Sequence, residues 1–171
     1  IVLGGIFMNS KKIFIWGFIF VAIVGTLFHF IYDWSGNNSI VRLFAPWNES
    51  TWEHMKLLFF PMLIFILFLF FKLPEQNPLP VALSIGALAG LALIPILFYT
   101  YTGVLGFSVM AIDIAIFYIS VLGAFLVGWF LKDKRSLADH RALALICLVI
   151  PAILFFIFSF YPPEIGLFQK P

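Results

Sequence analysis

The sequence predicts an all-α fold, a polytopic membrane bundle of five transmembrane helices. Three observations carry this reading. Of 171 residues, 63% are hydrophobic and only 11% are charged, where a soluble domain carries about 25% charge. Mean hydropathy is +1.11, and 23 residues are phenylalanine. Five apolar segments are each long enough to cross about 30 Å of hydrocarbon at about 1.5 Å per residue. A soluble chain of this size has nowhere to hide so much apolar surface, whereas in a bilayer the lipid is the solvent.

The segments cover roughly 13–32, 51–71, 79–101, 107–131 and 137–161 within one integral membrane domain spanning 1–171. Met8, followed by Asn9, Ser10, Lys11 and Lys12, reads like a natural bacterial start, so residues 1–7 are set aside as possibly non-native. The first segment is too long for a signal-peptide core and lacks a small-residue cleavage site, which marks a retained helix. It ends at Trp34–Asn38, rich in Ser, Gly and Asn, which are turn formers. Ser39–Phe44 is short and apolar enough to lie flat in the interface, and Pro46 ends it. The second long helix opens with Ser50 and Glu53, an S-x-x-E capping box. Its purely apolar part, Leu57–Phe71, is short. Spanning therefore requires either that Trp52, Glu53, His54 and Lys56 sink below the headgroups or that the bilayer thins. Three prolines in the 73–80 break start the third helix, Gly103 and Gly106 end it, and Lys132–Ser136 separates the fourth from the fifth. Ser136 and Asp139 suggest a second capping box there, with His140 solvated. Pro61, Pro95 and Pro151 lie inside helices and predict kinks. Ala82, Gly86 and Gly90 stripe one helix, and Ser120, Ala124 and Gly128 stripe the next; such stripes serve close backbone approach.

Lysine and arginine set the orientation. With the N-terminus in the cytoplasm, the inner side collects Lys11, Lys12, Lys72, Lys132, Lys134, Arg135 and Arg141, and the outer side Arg42, Lys56 and Lys170. Five spans then place the C-terminus outside, in a bacterial cytoplasmic membrane, inner or sole. The expected partners are the lipid bilayer and a possible second copy of the chain. A net charge of +2 gives no reason to expect nucleic acid. Cys147 stands alone in the chain, so neither a disulfide nor a thiolate cluster forms within it, and inert packing is its expected role.

This topology gathers the membrane-depth polar residues at the outer end. The candidate ligand-binding pocket comprises His29, Asp33, Glu53, His54, Lys56, Tyr99 and Asp113. Asp113, between two isoleucines, costs about 2.5–3.5 kcal/mol facing lipid and shares a face with Ser120 and Ala124, so it should point inward. It reads either as a ligand or proton carrier, or as a helix-locking carboxylate. His29 and Asp33, four apart, suit an oriented imidazole for metal or proton chemistry, or a simple helix-end pair. Glu53 is either a cap or a cavity residue, and Lys56 either snorkels or pairs with it. Glu49 reads as first-turn charge compensation. Trp34, Trp47 and Trp52, with Trp16 and Trp129 at the other side, read as aromatic belts. His29, His54, Glu53 and Asp113 form a possible nitrogen and oxygen ligand set for a divalent metal, the one cofactor the sequence suggests. No H-x-x-x-H, H-E-x-x-H, G-x-S-x-G, Walker or G-x-G-x-x-G pattern occurs, so serine-hydrolase, nucleotide-driven and dinucleotide readings lack support.

The stretch HFIYDWSGNNSIVRLFAPWNESTWEHMKLLFFP, His29–Pro61, resembles a family of small bacterial membrane proteins designated a domain of unknown function, group 6512. The shared features are His29 ending helix one, the turn Trp34–Asn37, and Asn48–Ser50 followed by Trp52–Lys56. Trp47 departs from the small aliphatic residue expected before the N-E-S triplet. The resemblance implies a multi-pass membrane protein and supplies no activity. The sequence supports three readings: binding or transport of a cation or small polar solute at an outward-facing pocket; a metal-dependent enzyme acting on a lipid headgroup; or a structural or assembly subunit. Whether the protein is an enzyme is left open, and five spans without a repeat are few for a transporter that does not dimerise.

Overall fold

The computed structural model describes residues 10–170; the reading of residues 1–7 lies outside them. Five helices are long and apolar enough to cross a membrane. They are α1 (Ser10–Trp34), α3 (Thr51–Lys72), α4 (Leu79–Leu105), α5 (Met110–Leu131) and α6 (Arg141–Phe160), with a single-turn helix α2 (Val41–Phe44) between the first two. A 3-10 helix, Arg135–His140, leads into α6, and another, Gly166–Phe168, lies in the C-terminal segment. No strand occurs among the described residues.

Helix α3 is the hub. It is the most buried of the spans, and it touches α1, α4, α5 and α6. The outward faces stay apolar, with Ile15, Ile19 and Ile23 on α1 and Ile146, Ile150, Ile153 and Ile157 on α6 exposed, a surface compatible with lipid contact. The α4–α5 pair packs through the two small-residue stripes. A Cβ on Gly86 would overlap the Ala124 carbonyl oxygen, and one on Gly90 would stand 2.9 Å from the Ala124 Cβ and 3.0 Å from the Ser120 carbonyl. The glycines thus let two backbones meet where any side chain would hold them apart. Pro61, Pro95 and Pro151 all sit inside continuous helices.

Some ends differ from the sequence reading. Helix α4 runs on to Leu105, where Gly106 takes the left-handed conformation (φ 81°) that terminates it. The expected Ser136–Asp139 box does not form: no side chain caps the 3-10 turn or α6, and the helix begins only at Arg141. Arg141 instead bonds the Pro74, Glu75 and Phe70 carbonyls, which ties the α5–α6 connection to the α3–α4 connection. Trp52 is not part of an aromatic belt. It lies inside, against Phe155, Phe158 and Phe168. The polar start of α3 is therefore shielded by protein: Trp52, Glu53, Met55 and Lys56 are all buried, and this geometry does not need a thinned bilayer to cover them.

Alternation of the spans puts the end of α1, α2, the start of α3, the end of α4, the start of α5 and the end of α6 on one face of the bundle. The opposite face holds an open hollow of about 1370 Å³, lined by both connections and including Lys132, Arg135 and Arg141 with Glu75, Asp133 and Asp139.

Candidate functional site

The segment joining α1 to α3 builds the end of the bundle where α2 lies. Helix α1 stops in a turn in which Gly36 (φ 69°) and Asn37 (φ 62°) are both left-handed, conformations that glycine and asparagine tolerate best. Ser35 Oγ donates to the Tyr32 carbonyl at 2.6 Å and accepts from Asn38 N–H at 3.2 Å. Before α3, Asn48 Oδ1 accepts from Ser50 N–H at 2.8 Å, and Ser50 Oγ accepts from Glu53 N–H at 3.3 Å. Half of the expected capping box forms. Asn48 takes the other half, which frees the Glu53 carboxylate.

That carboxylate goes to Lys56. The two side chains are 2% and 0% exposed, with Nζ and Oε2 2.6 Å apart. Lys56 Nζ also donates to the Arg42 carbonyl at 2.9 Å and to Ser159 Oγ at 2.5 Å. All three ammonium protons are thereby used. Ser159 Oγ in turn donates to the Phe155 carbonyl at 2.7 Å. Arg42 donates to the Ser159 carbonyl at 2.5 Å, and its guanidinium lies 3.7 Å from the centre of the Trp47 ring. This network clamps α2, α3 and α6 together and contains no free donor on Lys56.

One residue along α3, the geometry differs. His54 Nδ1 lies 3.0 Å from the Ser50 carbonyl. A carbonyl can only accept, so Nδ1 carries a proton and donates; a second proton, on Nε2, serves the Glu49 ion pair, and its loss leaves Nε2 with a free lone pair. Nε2 stands 3.3 Å from Glu49 Oε2. The His29 ring, from α1, lies with its centroid 5.3 Å from that of His54, and its buried Nδ1 has no hydrogen-bond partner among the described residues. One ligand atom each from His29, Glu49 and His54 lie within 4.8 Å of one another. Glu49 is the exposed member. The hydrogen bond from His54 holds its carboxyl below the usual carboxylate range, with smaller help from the charges of His54, His29 and Lys170 and partial opposition from burial.

The structure thus divides the sequence-derived candidates. His29 and His54 come together, but the carboxylate joining them is Glu49, not Glu53, which Lys56 occupies. Asp33 is exposed; it interacts electrostatically with His29, without a direct hydrogen bond between them. Asp113 accepts a short hydrogen bond from Tyr101, whose oxygen accepts from Val109 N–H at 3.0 Å. This links the end of α4 to the start of α5, and Asp113 also acts electrostatically on His54. Tyr99 lines a separate hollow of about 260 Å³ with Phe98, Thr102 and Phe107. Glu49 was legible only as helix-end charge because its role needs His29, twenty residues upstream in sequence, to be beside it in space.

A bundle of five long apolar helices, with titratable groups from α1, α3 and the connection between them converging at one end, has the make-up of a polytopic membrane protein. The chain belongs to a family of unknown function, DUF6512, whose family model matches residues 5–171. No curated protein and no solved structure matches the chain.

Proposed function

We propose that this protein binds a cation at the extracytoplasmic end of its bundle and serves in cation capture or transport in a bacterial cytoplasmic membrane. The observation that carries the reading is the convergence of His29, Glu49 and His54, with Asp33 and Asp113 near enough to act electrostatically on the two histidines. Three carboxylates around two imidazoles make a centre that attracts positive charge, and both histidines lie on helices long enough to span a membrane, where an ionisable residue is a functional hypothesis by default. The distribution of lysine and arginine supports placing this end outside and the N-terminus inside. The other end carries Lys11, Lys12, Lys72, Lys132, Lys134, Arg135 and Arg141, the loop excess that faces the cytoplasm.

The test is titration calorimetry on protein in lipid nanodiscs with sodium, potassium, magnesium, calcium, manganese and zinc. At least one cation binds wild-type protein, and the triple variant His29→Ala/Glu49→Gln/His54→Ala, with unchanged thermal unfolding, loses that binding. Binding of no cation, or binding indifferent to the triple variant, overturns the reading.

A further inference from the structure

We infer that the cation is a zinc-class transition metal, held directly by one nitrogen each of His29 and His54 and by the Glu49 carboxylate; this rests on the cation-binding reading above. Three features of the cluster select the metal class. The first is donor chemistry. Two imidazole nitrogens and one carboxylate suit zinc and its borderline neighbours, whereas calcium and magnesium take oxygen ligands. The second is geometry. Zinc bonds of about 2.0–2.1 Å to nitrogen and oxygen set tetrahedral ligands about 3.3 Å apart, and His54 Nε2 and Glu49 Oε2 are 3.3 Å apart. All three ligand atoms fall within 4.8 Å of one another, so side-chain rotation alone can close the set around one ion. The third is orientation. A zinc-bound histidine characteristically donates its other ring N–H to a backbone carbonyl or carboxylate, which fixes the tautomer and aims the lone pair. His54 already does this through Nδ1 and the Ser50 carbonyl. The buried Nδ1 of His29, without a hydrogen-bond partner among the described residues, is a polar atom that a metal or its bound water would satisfy.

Three protein ligands leave a fourth tetrahedral position for water or for cargo exchange. The ligands come from α1, from the connection before α3 and from α3 itself, so the metal would cross-link the two helices. The C-terminal segment bears on the same site. Phe168 rests on Trp52 with ring centres 4.9 Å apart, and the charge of Lys170 is felt at Glu49.

The experiment loads purified protein in nanodiscs with zinc, and in parallel with cobalt(II), in the presence of excess magnesium and calcium. Metal content and the cobalt visible spectrum are read together. Wild type retains one equivalent of zinc, and cobalt gives the intense absorption of a four-coordinate site. Glu49→Gln and His29→Gln, which keep side-chain volume, each lower zinc affinity at least tenfold, the size of loss that removing even an outer-shell partner produces. His54→Gln serves where His54→Ala fails to fold. If zinc and cobalt do not bind while calcium, magnesium or a monovalent ion does so in a cluster-dependent way, the metal assignment falls and the cation reading stands. If no cation binds, both fall. Zinc binding that survives Glu49→Gln and His29→Gln also overturns the assignment.

Discussion

Two polar clusters share the first turn of α3, and they differ in one respect: whether their hydrogen bonds are closed. Glu53 and Lys56 are sealed from solvent and joined to Ser159 and the Arg42 carbonyl, with every ammonium proton of Lys56 placed. His54, adjacent in sequence, meets the exposed Glu49 and the half-buried His29, whose Nδ1 has no hydrogen-bond partner among the described residues. A closed network costs much to break and offers nothing to a ligand. An open one contributes little to folding and keeps acceptor atoms available. Burial alone would have ranked the first cluster as the site; the bookkeeping of donors and acceptors ranks the second.

The largest effect expected from breaking this contrast is on the closed cluster. Lys56→Met strands the Glu53 carboxylate in the interior and is expected to cost about 3–5 kcal/mol, the range for removing one partner of a buried pair. Denaturant or thermal unfolding in detergent measures it, and Glu53→Gln combined with Lys56→Met is expected to recover much of the loss. If Lys56→Met unfolds like wild type, the network is not the clamp described here. Next comes a control remote from both clusters. Gly86→Val drives a side chain into the Ala124 carbonyl and is expected to cost about 1–3 kcal/mol by overpacking, with metal affinity per folded molecule unchanged.

Smaller again is Ser50→Ala. It removes the cap of α3 at about 1 kcal/mol but keeps the carbonyl that orients His54, so zinc binding should persist. A large fall in affinity would mean that the hydroxyl, rather than the carbonyl, organises the site. The least change in stability belongs to Glu49→Gln, because Glu49 is exposed. Its pH signature is nonetheless defined. The carboxyl is held below its ordinary range in the folded state, chiefly by the His54 hydrogen bond. Its contribution is therefore full above the unfolded-state pKa and fades as pH falls through the lowered folded value. Unfolding followed from neutral to acid pH should show a shallower acid decline in Glu49→Gln than in wild type; identical profiles would remove the His54–Glu49 bond from the account.

The four-residue turn after α1 and the caps before α3 illustrate how far residue type alone reaches. Gly36, Asn37, Asn48 and Ser50 do locally what their chemistry prescribes, because turns and caps are settled within a few residues. The small-residue stripes were legible for a similar reason: their spacing places Gly86 and Gly90 on one face, whichever partner lies opposite. Asp113 was expected about two turns inside its helix, but α5 starts only at Met110, so it lies half-buried in the first turn; its partner Tyr101 could not be read from spacing, since the α4–α5 turn had first to bring them together. Trp52 fared differently. An aromatic residue near a helix start fits an interfacial belt by position, and only the fold of the C-terminal segment, which brings Phe168 onto it, decides that it is core.

Composition and hydropathy alone determined the membrane class and the five long helices, because the transfer of apolar side chains from water is additive along the chain. Which carboxylate joins the histidines was decided only in three dimensions. Glu49 and Glu53 lie four residues apart, and either could reach His54 by sequence. The choice was made by Lys56, whose three protons had to be satisfied inside the protein by Glu53, by Ser159 from α6 and by the Arg42 carbonyl from α2, and that left Glu49 for His54.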